Sequence, residues 1–84
     1  MFLNSTQRNG MSEMQNTLLK AGGSLEAAED RFMKVAKNPN SSPGDIQFEQ
    51  MELQKAQRKF EIISKVAEFM HQMMMRIIER LRAQ

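Results

Sequence analysis

The residue types that carry most enzyme chemistry are thinly represented. His71 is the single imidazole, and there is no Cys, Tyr or Trp among the 84 residues. A lone His without a second His or a Cys lacks the ligand set of a zinc site and the partner of a general-base dyad. The carboxylates are more numerous. Glu49 and Glu52 sit three apart, and Glu26, Glu29 and Asp30 cluster upstream. Paired carboxylates cleave glycosidic bonds when a pocket holds them across a sugar. Here they lie among Lys and Gln at helical, solvent-facing spacing, which reads as a solvated charged surface. Gly22-Gly23 lacks the flanking strand and the glycine spacing of a phosphate-binding loop, and no Ser stands in a GxSxG elbow. The residues therefore point to a non-enzyme with no metal, no cofactor and no small-molecule substrate.

Composition narrows the class further. Hydrophobic residues make up 40% and charged residues 26%, with nine Met and five Phe. The net charge of +2 comes from 12 basic and 10 acidic residues scattered among one another. No basic stripe interleaved with aromatics marks a nucleic-acid surface. No apolar run approaches the roughly 18–20 residues that span a bilayer, and Arg76 stops the longest candidate, around Met73–Met75. The opening MFLNSTQRNG has neither the charged nor the apolar region of a Sec signal peptide.

The elements follow from periodicity and punctuation. Residues 1–10 are polar and without period, and read as a flexible N-terminus. The remaining chain, 11–84, reads as one α-helical hairpin domain. Met11, Met14 and Leu18 begin a weak helical pattern, which Gly22-Gly23 is expected to break, since two glycines cost about 2 kcal/mol relative to Ala. Ser24 is then placed as an N-cap of a short helix over 24–37 carrying Leu25, Ala28, Phe32 and Val35, with Asp30 and Lys34 as an i,i+4 pair on its other side. Asn38–Gly44 is the turn, bracketed by Pro39 and Pro43. Within it Ser42 as N-cap, Pro43 at the first helical position and Asp45 at the third write the next start; Gly44 lies between them.

From Pro43 to Arg82 nothing interrupts a helix of roughly 60 Å. Leu53, Ala56, Phe60, Ile63, Ala67, Met70, Met74, Ile77 and Leu81 recur at alternating spacings of three and four. That is a heptad seam. A second stripe, Ile62, Val66, Phe69 and Met73, runs beside it, and Met75 and Ile78 extend the apolar surface. Of the 22 residues from Phe60 to Leu81, thirteen are apolar. A helix apolar nearly all round needs cover on more than one side. With the partner helix starting at Met11, Met70–Leu81 is expected to project beyond it. Phe60, Ile63, Val66, Ala67, Phe69, Met70, Met73, Met74, Ile77, Ile78 and Leu81 are thus the expected subunit interface, and the fold class is an all-α hairpin, short first helix and long second, assembling into a helical polymer with copies of itself.

These features resemble the small polymerising subunits of bacterial type III secretion systems. Ser64-Lys65-Val66-Ala67, Gln72, Ile77-Ile78 and Gln84, at their distance after Pro43, resemble the inner-rod proteins. Lys37-Asn38-Pro39 with Pro43, and the ending Ile77-Ile78-Glu79-Arg80-Leu81-Arg82, are similar to the needle subunits. Three residues separate Pro39 from Pro43, more than needles usually place there, and the second helix has neither Tyr nor Trp. The inner rod is the favoured sibling. The resemblance covers roughly residues 24–84. It implies a structural subunit of a Gram-negative bacterium, exported through its own apparatus. The subunit would stack helically with copies of itself and with other apparatus subunits into a conduit for effector proteins, in the periplasm or at the cell surface. The competing expectation from the residues is a small helical chaperone or adaptor that covers one partner helix in a closed complex. A homodimeric regulator that binds nucleic acid is weaker.

Overall fold

The computed structural model describes the backbone of residues 2–83 and the side chains of residues 12–83. It is an all-α hairpin of two helices, α1 (Phe2–Lys37) and α2 (Pro43–Ala83). The segment assigned to a separate N-terminus, residues 1–10, lies outside the residues whose side chains are described. The molecule measures 66 × 19 × 14 Å, close to the roughly 60 Å length of a helix the size of α2.

The reversal is built as the residues at its ends dictate. Lys34 and Lys37 occupy the last turn of α1, where cations favour the negative end of the helix dipole. The Asn38 N–H still donates to the Val35 carbonyl at 3.3 Å, and Ser41 N–H donates to the Asn38 carbonyl at 3.1 Å. This makes Asn38–Ser41 a β-turn with Pro39 at its second position, where a fixed φ suits it. The Asn38 side chain tightens the turn by accepting from Asn40 N–H at 2.9 Å. Pro43 and Gly44 then form the first two residues of α2. Asp45 N–H donates to Ser42 Oγ at 3.1 Å, and Ser42 N–H donates to Asp45 Oδ2 at 3.3 Å. The reciprocal capping box expected from the sequence is present, with Asp in the place Glu or Gln usually takes.

Three expectations for α1 are corrected. Gly22-Gly23 does not break it, Ser24 is an interior residue rather than a cap, and the first helix is 36 residues long beside 41 in α2. The physical reason is packing. Met14, Leu18, Ala21, Leu25, Ala28, Phe32 and Val35 form one heptad series, each at least half-buried and in phase across the glycines. Both glycines keep helical backbones without positive φ, so their N–H and C=O groups remain available to the ladder. The propensity cost of about 1 kcal/mol per Gly is therefore met by burial of the stripe on both sides. Among the described residues, Ala21, at 5% exposed, and Ala28, at 1%, are the buried core residues. A Cβ on Gly22 would lie 3.5 Å from a ring carbon of Phe60. Small residues at this level let the helices approach closely where Phe60 needs room.

Contacts along the pair fix the antiparallel register. Arg31 Nε lies 3.5 Å from Glu49 Oε2 near the turn, Gly22 faces Phe60, and Met14 and Leu18 face Ala67, Met70 and Met74. The Arg31–Glu49 pair is an ion pair without a hydrogen bond, since Glu49 Oε2 is buried with no donor in hydrogen-bonding geometry. The Asp30–Lys34 pair expected on α1 is not among the ion pairs of the described residues; both side chains are exposed, where such a pair gains only about 0.3–0.5 kcal/mol.

Candidate subunit interface

The seam and the second stripe of α2 occupy different environments. Phe60, Ile63, Ala67, Met74 and Ile78 are half-buried on the seam side. Ile63 borders Thr17, Ala21 and Ser24 of α1, and Ala67 and Met74 border Met14 and Leu18. Of the eleven residues expected at a subunit interface, these five belong to the hairpin's own seam. Met14 also corrects the expected overhang: α1 reaches Met70 and Met74, so the stretch from Met70 is not wholly without an intramolecular neighbour.

The other six are exposed. Val66, Phe69, at 60% exposed, and Met73 lie on the second stripe, which Ile62, outside the eleven and 62% exposed, begins. Met70, Ile77 and Leu81 are exposed where the stripe meets the seam, and Phe48 and Met51 lie exposed nearer the turn. One partner helix can cover only one stripe of α2, so the hairpin leaves this second stripe in water. Two helices supply no third layer, and α2 contains no fully buried residue.

The total surface quantifies the deficit. The chain exposes 7204 Å². A compact monomer of 9.7 kDa exposes about 5100 Å² by the usual mass scaling. The excess, about 2000 Å², is more than the roughly 800 Å² per partner that a standard protein interface covers. The six exposed side chains Ile62, Phe69, Met70, Met73, Ile77 and Leu81 would each gain up to about 1.5–3 kcal/mol on burial. The surface has the area and the chemistry of an unformed interface.

Chemistry of other kinds finds no comparable site. The groove between the helices, lined by Met14, Gln15, Leu18, Ala67, Met70, His71 and Met74, holds about 180 Å³, below the roughly 300 Å³ at which ligand pockets begin. His71 is exposed at its edge. Among the described residues no three His, Cys, Asp or Glu side chains cluster to hold a metal ion, and no helix is long and apolar enough to cross a membrane. Glu26, Glu29 and Asp30 lie exposed on α1, whereas Glu49 turns inward to Arg31. The five carboxylates do not converge. Compared with known proteins, the chain matches no family model, no curated protein and no solved structure.

One feature of the sequence opposes a break at Gly22-Gly23. Ala21 stands three residues after Leu18 and four before Leu25, which joins the two α1 stripes in one phase. A hinge would not require that phase to be kept.

Proposed function

We propose that this chain is a structural subunit that polymerises with copies of itself, as the inner rod of a bacterial type III secretion apparatus or, second, its needle. The observation that carries the polymer reading is the exposed apolar stripe Ile62, Val66, Phe69 and Met73 on a hairpin whose described residues include only two buried ones, Ala21 and Ala28. The all-α hairpin with a Pro-bracketed reversal agrees with the architecture of those subunits. The secretion assignment rests on the resemblance of Ser64–Ala67, Gln72, Ile77-Ile78 and the Pro39–Pro43 turn. In this reading the apolar flank of α2 is buried between neighbours, the subunit is exported by the apparatus it builds, and other apparatus subunits border the ends of the stack. The chain does no chemistry; its work is to form a wall.

Sedimentation velocity of the purified protein over a rising concentration series tests the polymer, with electron microscopy of the concentrated sample. Open-ended growth into filaments is the expected result. A fixed small complex that never extends supports the adaptor instead, and a monomer at every concentration overturns both.

A further inference from the structure

The exposed stripe of α2 is framed by cations. At 100° per residue, Ile62, Val66, Phe69 and Met73 fall within about 60° of arc. Arg58, Lys65 and Arg76 line one edge, and Lys55 and Arg80 continue the stripe at its two ends; all five are exposed. Lys65 and Lys55 have ion-pair partners within α2, Glu61 at 3.5 Å and Glu52 at 3.9 Å. Arg58, Arg76 and Arg80 enter no ion pair among the described residues. Stripe against stripe with an antiparallel copy would set this basic edge against itself, which is unfavourable.

The outward side of α1 is the complement. Leu19, Gly23, Glu26, Asp30 and Met33 recur at spacings of four and three on the side turned away from the seam, with Glu29 beside them. Leu19 is 74% exposed and Met33 is half exposed. The three carboxylates are exposed and enter no ion pair among the described residues. Gly23 adds an independent sign. It costs about 1 kcal/mol of helix relative to Ala, yet a Cβ there would meet nothing within 4 Å. Nothing inside the hairpin accounts for its lack of a side chain. The face from Leu19 to Met33 is about 21 Å long and the stripe from Ile62 to Met73 about 17 Å, at 1.5 Å per residue.

We infer that the occupant of the α2 stripe is the outward face of α1 from a second copy of this chain, with Arg58 and Arg76 set against Glu26, Glu29 and Asp30. The two patches lie on different sides of one molecule, so the contact is head-to-tail. Such a contact does not close on two subunits and propagates until a ring or a helix results. This inference rests on the polymer reading and specifies which faces build it.

Charge reversal tests it. Glu26→Lys with Asp30→Lys, and separately Arg58→Glu with Arg76→Glu, alter exposed positions only; circular dichroism of dilute samples checks that helix content is kept. Each double variant alone should need about tenfold more protein for half-assembly, from two pairs turned repulsive. An equimolar mixture should assemble like the wild type, because each reversed face meets its complement on the other variant. The wild type supplies a second measurement that no folding defect can disturb. Raising salt from about 50 mM to about 500 mM should weaken its assembly severalfold, as screening removes the attraction. Wild-type assembly that strengthens with salt, variants that assemble unaltered, or a mixture that fails to recover would each overturn the head-to-tail pairing while leaving the polymer intact. A wild type that never associates removes the polymer reading itself.

Discussion

Phe60 and Phe69 are separated by nine positions on α2 and offer a matched pair of truncations. Phe60 is half-buried in the seam, with Gly22 of α1 against its ring. Phe69 is 60% exposed on the free flank. Removing a fully buried Phe costs about 3–5 kcal/mol, so Phe60→Ala, at a ring mostly but not fully covered, should cost the hairpin about 2–3 kcal/mol. For a chain this size that lowers the Tm by roughly 8–24 °C. Phe69→Ala should alter hairpin stability by no more than about 0.5 kcal/mol. Its exposed apolar area, about 120 Å² of a side chain that offers 150–250 Å², would contribute about 3 kcal/mol if buried between copies. Losing it should weaken each contact on the order of a hundredfold. Thermal unfolding of dilute protein reads the first effect, and sedimentation against concentration reads the second. The reasoning is refuted if Phe69→Ala melts the hairpin as strongly as Phe60→Ala, or if it assembles at wild-type concentrations.

Ile77→Asp should block assembly while dilute protein keeps most of its helical signal, because Ile77 is exposed; a collapse of helicity would place Ile77 in an intramolecular core. Ser42→Ala removes the Oγ that accepts from Asp45 N–H, so α2 should lose about 1 kcal/mol, seen as a Tm lower by roughly 4–8 °C. Gly23→Ala, where the new Cβ meets nothing within 4 Å, should raise the Tm of dilute protein by a similar amount, since Ala is favoured over Gly by about 1 kcal/mol in a helix interior. A lower Tm for that variant would mean that the helix needs a flexible point there.

Among the exposed carboxylates, the Asp30–Lys34 spacing illustrates how little a surface pair constrains. The i,i+4 separation permits contact, but both side chains remain solvated and no ion pair forms among the described residues. Arg31 and Glu49, which no local rule couples, do meet at 3.5 Å because the reversal folds one helix onto the other. Neither partly covered carboxylate meets another: Glu49 faces an arginine from the neighbouring helix and Glu52 lies 3.9 Å from Lys55.

Local chemistry alone determined the reversal and both of its boundaries. Pro39 in a turn, Ser42 and Asp45 as reciprocal caps, and the absence of Pro or Gly from 45 to 84 act over a few residues and need no partner. The heptad seam was legible from Leu53 to Ala67 for the same reason, since its period is a property of one helix; further on it is corrected, with Met70, Ile77 and Leu81 exposed and Ile78 half-buried after Met74, as a 3.6-residue turn drifts against a 3.5-residue repeat. The fate of Gly22-Gly23 was decided only by tertiary structure. Intrinsic propensity favours a break by about 2 kcal/mol, and burial of Ala21, Ala28 and the half-buried residues in phase with them outweighs it, a gain that exists only once α2 lies alongside. Tertiary structure also divided the apolar surface of α2. Sequence showed that one helix was apolar on two flanks; the register, fixed by Arg31–Glu49 and by Met14 beside Met74, placed Phe60 and Ile63 against α1 and left Ile62, Val66, Phe69 and Met73 facing water, because a single antiparallel helix can cover only one flank.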